Sequence, residues 1–266
     1  MQFHEVFADR ITHKWSSKNR PETLAIDDVS CAFPAGKVTA IVGPSGCGKS
    51  TLLLIMRGLV EATEGAIRFR YKEASGQIVD GKPVQMATVW QAFNLLPWRN
   101  VLDNVAFGLE LAGTPAEERH AKAREAIKAV DLAGFEAFYP GQLSGGMRQR
   151  VGLARGLVMA PDILLLDEPF GALDAQTRLY MQEQLAGLVE RAGKTVILVT
   201  HSIEEAVFLS DHVIVMTARP GKVAAQRDIP LPRPRSIEVQ NDPRFSALFT
   251  DIYDVLREEV VKSMME

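Results

Sequence analysis

Three stretches of this sequence carry residue types at spacings suited to phosphate chemistry. The first is Gly43-Pro44-Ser45-Gly46-Cys47-Gly48-Lys49-Ser50-Thr51. It follows a short apolar run and precedes a helical pattern, the setting that the pattern G-x-x-x-x-G-K-[ST] requires. Glycines let backbone N–H groups turn inward around a polyphosphate, and a helix N-terminus adds a favourable dipole. Lys49 would reach the terminal phosphates. Ser50 would offer its hydroxyl to Mg²⁺, which binds through few protein oxygens plus phosphate and water. A glycine-rich turn that matches by chance is the plain alternative, and the strand-to-helix setting counts against it.

The second stretch, Ile163-Leu164-Leu165-Leu166-Asp167-Glu168, reads as a buried strand ending in two carboxylates. Alternation along a strand points the two side chains in different directions. Asp167 therefore suits the Mg²⁺ shell and Glu168 suits polarising the water that attacks a γ-phosphate. A strand that merely surfaces in acidic residues is the alternative, but ligands of α/β sheets gather at the carboxyl ends of strands. The third stretch is Leu143-Ser144-Gly145-Gly146-Met147-Arg148-Gln149-Arg150. Ser144 is placed as an N-cap before an apolar helical pattern, a second helix start ready for an anion. A well-capped helix with no ligand explains it equally well.

These residues need a scaffold. Val38-Thr39-Ala40-Ile41-Val42, Ile163-Leu164-Leu165-Leu166, Thr195-Val196-Ile197-Leu198-Val199 and Val213-Ile214-Val215-Met216 read as strands buried on both faces. Helical patterns lie between them, over residues 51–59, from Met181 to Gly193, and over 203–209 behind Ser202. The alternation predicts an α/β fold with a parallel core sheet. From about Asn94 to Ala160 only helices are expected, an inserted helical subdomain. There Asn100 caps one helix that stops before Gly113, and Thr114-Pro115-Ala116-Glu117 opens the next with Thr114 as cap. Residues 18–36 and 66–87 read as exposed strands and turns, a small antiparallel region. Three prolines between Pro230 and Pro234 read as a stiff linker, dividing a domain over 1–230 from a tail over 231–266. In that tail Asp242-Pro243 starts an amphipathic helix with Phe245, Leu248, Phe249, Ile252, Val255 and Leu256 on one face.

Composition narrows the function classes. The chain has 266 residues, 30 Lys+Arg against 33 Asp+Glu, and a formal charge of −3, which gives no reason to expect a nucleic-acid partner. No apolar run approaches the ~18–20 residues of a membrane span, and residues 1–10 lack the marks of a signal peptide. With Cys31 and Cys47 alone, disulfide and zinc readings are weak and a reducing cytoplasm is expected.

The glycine loop, the 143–150 octapeptide, the 163–168 strand, Ala172-Leu173-Asp174 and Val199-Thr200-His201, in this order, resemble the ATP-binding subunits of ABC transporters. The octapeptide is the defining signature of that family, and the resemblance spans roughly residues 10 to 225. It implies ATP and Mg²⁺ as cofactors and a head-to-tail pair of subunits, formed with a second copy or a paralogous ATPase subunit. Ser144, Gly145 and Gly146 of one subunit would close over ATP held by residues 43–51 of the other, namely Gly43, Pro44, Ser45, Gly46, Cys47, Gly48, Lys49, Ser50 and Thr51. By the same resemblance Trp15 stacks on adenine, Gln91 touches Mg²⁺ and couples to the membrane partner, Asp174 bridges the subunits, and His201 hydrogen-bonds the γ-phosphate.

A narrower resemblance lies in Leu95-Leu96-Pro97-Trp98-Arg99-Asn100-Val101, Glu204-Glu205-Ala206, Ala218-Arg219-Pro220-Gly221 and Leu231-Pro232-Arg233-Pro234-Arg235. These look like the importer branch that handles nitrate, taurine and other sulfonates. Ser202 departs from the branch, standing where an acidic residue is common, and residues 66–82 are longer and more charged than usual. The implied function is an ATP-hydrolysing, energy-coupling subunit of a small-solute importer, peripheral to the cytoplasmic face of the inner membrane. Permease subunits would dock near Leu95, Leu96 and Trp98, with a solute-binding protein engaged indirectly. A soluble ABC ATPase of DNA repair or translation is one alternative, and would show a long coiled-coil insertion or a second cassette. An exporter ATPase is another, since direction is set by membrane subunits.

Overall fold

The computed structural model describes residues 1–17, 20–171 and 173–265. The chain divides into two compact units, one formed by residues 1–84 and 193–266, the other by residues 85–192. The first unit opens with a long antiparallel hairpin, β1 (Gln2–Ser17) and β2 (Arg20–Pro34). After β3 (Val38–Val42) and α1 (Lys49–Met56) come β4 (Glu64–Lys72) and β5 (Ile78–Asp80), which complete a four-stranded antiparallel sheet in the order β2-β1-β4-β5. Its hydrophobic face rests on Val6, Ala8 and Ile11 of β1 and on Ala25, Ile26, Val29, Cys31 and Phe33 of β2, all buried. The stretch 18–36, expected as exposed strands and turns, thus contributes five side chains of β2 to the core, because Ala25, Ile26, Val29, Cys31 and Phe33 are apolar and buried. Arg10 and Asp28 both adopt φ 51°, at breaks in the strand register that bend the hairpin.

In the second unit, β6 (Met86–Val89) lies parallel to β7 (Ile163–Asp167). Between them run α2 (Val101–Leu111), α3 (Ala116–Ala129) and α4 (Gly145–Leu157), and α5 (Ala175–Ala192) follows β7. Asn100 caps α2, its Oδ1 accepting from the Asp103 N–H at 2.8 Å, and Gly113 follows with φ 79°. The cap expected of Thr114 is not formed. Pro115 holds the N-cap position of α3 and no side chain caps it, while Glu117 and Glu118 place negative charge in the first turn.

The remaining elements belong to the first unit: β8 (Thr195–Thr200), α6 (Ile203–Leu209), β9 (His212–Met216), β10 (Val223–Asp228) and α7 (Pro243–Met265). β3 pairs in parallel with β8 on one side and β9 on the other, and β10 adds an antiparallel edge to β9. β3 and β8 are buried along their whole lengths, as runs covered on both faces must be. The fold class is α/β, with a parallel core and a separate antiparallel sheet.

Residues 230–234 do more than space two elements. Leu231 is buried, and the Arg233 guanidinium donates to Asp211, whose other oxygen accepts from the Val38 N–H. Arg235, 4% exposed, donates to the carbonyls of Val207, Phe208, Ser210 and Ile229. These bonds serve the otherwise unpaired end of α6. Arg235→Ala should therefore lower stability by about 2–4 kcal/mol, because the carbonyls stay buried and lose a charged donor. Thermal unfolding checks this; an unchanged Tm would show the strap to be dispensable.

Candidate phosphate-binding and hydrolytic site

The loop over 43–51 leaves β3 and enters α1. Gly48 is the N-cap of α1 with φ 98°, and a Cβ there would lie 2.8 Å from the Ala25 carbonyl oxygen. Only glycine meets both demands. No side chain caps α1 at Gly48, and a helix N-terminus carries the positive end of its dipole, which favours an anion. Lys49, 5% exposed, donates its ammonium to the Gly43 and Pro44 carbonyls, each at 2.9 Å. The loop thus holds a buried positive charge. Burial pushes the neighbouring Cys47 thiol up, partly offset by that ammonium, and burial pushes Cys31 to about 12. Both cysteines are free and buried, inert by environment.

The bent hairpin delivers Trp15 to this loop. Its indole Nε1 donates to the Thr51 hydroxyl at 3.4 Å, and the buried His13 ring meets it edge-on at 4.6 Å. Trp15 itself is 42% exposed, a ring held from one side with a face left to solvent. His201 reaches the same end of the sheet by another route: Val42 and Thr200 are partners in register, so Gly43 and His201 emerge from adjacent strands. Ser202 caps α6 by accepting from the Glu205 N–H, and the Thr200 hydroxyl donates to the Glu205 carboxylate at 2.6 Å. Glu205 thus fixes the turn that presents His201, a role its sequence position does not announce.

The second unit gathers the acidic groups. Asp167 ends β7 and is 8% exposed, and Glu168 follows at φ 46°, a left-handed turn that breaks the strand between the two carboxylates. The Gln91 amide nitrogen donates to Glu168 Oε2 at 3.1 Å, joining two residues to which sequence reading assigned separate roles, one at Mg²⁺ and one at the attacking water. Ser144 is the N-cap of α4, its hydroxyl accepting from the Met147 N–H, and the space beside Gly145 is open. Gly146 lies against Thr177, where a Cβ would stand 3.0 Å from the methyl group. Thr177 in turn donates its N–H to Asp174, and that bond is the largest cause holding the Asp174 carboxyl below its ordinary value. The Ser144 and Asp174 turns are therefore packed together. Ala172, part of the same motif, lies outside the described residues.

Of the apolar loop 95–98, Trp98 is 72% exposed, and Leu95 and Leu96 are half-buried. Asn104 holds the loop from beneath. Its amide nitrogen donates to the Leu96, Arg99 and Asn100 carbonyls, and its oxygen accepts from the Leu96 N–H. Sequence reading missed this residue, although a polar side chain on the apolar face of α2 is a signal of such a bond. Arg99 adds a bidentate pair with Glu110.

Comparison with known proteins places the chain in a family. Residues 26–171 match the family model described as ABC transporter. The chain is 46% identical to an uncharacterised ABC transporter ATP-binding protein of Methanocaldococcus jannaschii, covering 92% of this chain and 89% of that one. It is 39% identical to the taurine import ATP-binding protein TauB of Burkholderia pseudomallei, covering 97% and 98%. Among solved structures, a dimeric ATP-binding cassette in a post-hydrolysis state bound to ADP and Pi is similar, with TM-score 0.70 and 31% identity over 84% of this chain and 98% of that one.

Proposed function

We propose that this chain, which belongs to the ABC transporter family and is an ATP-hydrolysing cassette, energises the import of taurine or a related small sulfonate through separate membrane subunits. The observation that carries the substrate class is the end-to-end likeness to a taurine import ATP-binding protein, which extends through the Arg233–Arg235 strap. Loss of the coding gene is expected to abolish uptake of labelled taurine by the host, with restoration by the intact gene. Uptake that persists, alongside lost uptake of some other solute, would reassign the substrate. Among the described residues no helix is long and apolar enough to cross a membrane. As the ATP-binding subunit of an importer, the chain sits at the cytoplasmic face, held by membrane subunits, with a solute-binding protein on the far side.

The geometry within each unit and the family resemblance support these residue roles. The loop 43–51 and Lys49 bind the phosphates, and Trp15 offers its open face to adenine. Ser50, Asp167 and Gln91 are hard-oxygen donors of the kind Mg²⁺ takes, and the Gln91 nitrogen, committed to Glu168, leaves its oxygen for the ion. Held by these residues, Mg²⁺ would supply charge neutralisation to the phosphates. Glu168 orients and polarises water, and His201 steadies the γ-phosphate. Ser144, Gly145 and Gly146 of a second copy close the site.

Trp98, Leu95 and Leu96 form the surface for a short cytoplasmic helix of the permease, since a proline-containing, solvent-facing apolar patch is otherwise a liability. Asn104 ties the patch to α2, so loop and helix move together when the permease helix pushes on them. Trp98→Asp and Leu96→Asp should leave the isolated subunit folded and binding ATP, while co-purification with the permease and transport fall at least about tenfold, as for a lost interface anchor. Trp98 is the safer probe because its side chain lies mostly in water. If Trp98→Asp unfolded the isolated subunit, the patch would be core.

A further inference from the structure

The turn after β9 touches the phosphate loop from outside, and no role described above uses it. Val42 of β3 is in register with Val215 of β9, so the chain leaving β9 emerges beside Gly43. Residues 217–222 then close on themselves. The Thr217 N–H donates to the Lys222 carbonyl, and the Thr217 hydroxyl accepts from the Lys222 N–H, each at 2.9 Å. The turn is also tied to β2: Gly221 donates to the Ala25 carbonyl, Asp27 donates to the Gly221 carbonyl, and the Lys222 ammonium pairs with Asp27 at 2.7 Å.

From this anchored turn two residues reach the loop. A Cβ at Gly221 would stand 1.9 Å from the Cys47 carbonyl oxygen, so the two backbones meet as closely as glycine allows. Arg219 Nε donates to the Gly46 carbonyl at 3.4 Å, and its Nη2 lies 3.4 Å from where a Cβ of Gly46 would be. Arg219 is exposed, and no acidic side chain pairs with it among the described residues.

We propose that the 217–222 turn is an outer brace of the phosphate loop and that Arg219 is a positioning residue for nucleotide binding. In a trans peptide the N–H points away from the C=O. The Cys47 N–H donates to the Pro44 carbonyl at 3.3 Å. The Arg219 bond to Gly46 therefore fixes the peptide that closes this turn, and holding the Cys47 carbonyl outward aims the Gly48 N–H inward, toward bound phosphates. The guanidinium also polarises the Gly46–Cys47 peptide, which strengthens the Cys47 N–H bond to the Pro44 carbonyl and so stiffens the loop, and adds positive potential at the rim. The effect falls on binding; the reacting atoms are untouched.

The inference rests on reading the 43–51 loop as the nucleotide site. The test is MgATP hydrolysis and nucleotide affinity for the full chain with Arg219→Ala, Arg219→Gln and Arg219→Lys, beside Lys49→Ala. Arg219→Ala should raise KM about threefold to tenfold with kcat within about twofold, as for an exposed charge-assisted bond. Arg219→Lys should recover part of the loss. Arg219→Gln, which keeps a donor without charge, should fall between wild type and Ala. The KM of Arg219→Ala should rise less steeply with KCl than that of wild type, and the nucleotide-free Tm should not move. An unchanged KM in Arg219→Ala overturns the proposal, as does a KM rise accompanied by a fallen Tm. Normal nucleotide binding by Lys49→Ala would overturn the loop assignment itself, and this inference with it. Lost binding in Lys49→Ala beside a normal Arg219→Ala would sink the brace alone.

Discussion

Glu168→Gln is expected to bind MgATP with near wild-type affinity, to hydrolyse it about 10²–10⁴-fold more slowly, and to accumulate as a nucleotide-bound dimer. Phosphoryl transfer leaves the protein little covalent work, so positioning and charge decide the rate. Glu168 stands in a left-handed backbone conformation directly after the buried end of β7, and its Oε2 accepts from Gln91 at 3.1 Å. Glutamine has the same backbone preference and shape and retains an oxygen to accept that bond. What disappears is the negative charge proposed above to orient and polarise water. The phosphate loop and Lys49 belong to the other compact unit and are unchanged by the substitution. Lys49→Ala should show the reverse pattern, with nucleotide affinity weakened about 10- to 100-fold through loss of a buried charged donor. Single-turnover phosphate release and size-exclusion chromatography with MgATP separate the two. A wild-type hydrolysis rate in Glu168→Gln would give the polarising role to another residue.

Sequence reading succeeded where a local rule sufficed. The apolar runs of β3, β7, β8 and β9 are buried, Asn100, Ser144 and Ser202 are each N-caps in the structure, and α6 spans the residues its periodicity marks. The loop 43–51 was legible because glycine, lysine and hydroxyl positions must fall at one spacing to enclose a phosphate. Failures came where distant partners decide. Nothing local shows that β1 and β2 form a long hairpin, since their stability comes from cross-strand pairs such as Val6 with Phe33. Thr114 lost the cap because Pro115, with φ fixed near −54°, already occupies the turn before α3. The bonds of Asn104, Glu205 and Arg235 were hidden for the same reason. Each is a polar group buried beside backbone that only the folded chain brings near, and each holds a segment that carries a proposed role.

The sharing of each ATP site between two copies can be decided by placing two defects in trans or in cis. One chain supplies two helix starts fit for phosphate, α1 behind Gly48 and α4 behind Ser144, yet only the first is joined to a lysine. The Ser144 turn opens to solvent at Gly145 and packs through Gly146 on Thr177, which holds Asp174. That places a phosphate-ready turn and a carboxylate on one rigid patch, as a surface offered to a second copy requires. Consider a mixed dimer with Lys49→Ala in one subunit and Ser144→Arg in the other. If sites are composite, both defects fall in one site and the other remains intact, so about half of the wild-type nucleotide should bind. Combining both substitutions in one chain and pairing it with wild type damages both sites, and binding should be nearly lost. Ser144→Arg also removes a cap, costing about 1 kcal/mol of stability in either arrangement, so that penalty cancels in the comparison. Should the trans dimer lose both sites and the cis dimer keep one, each chain would be binding its nucleotide alone, and the head-to-tail arrangement would be wrong for this protein.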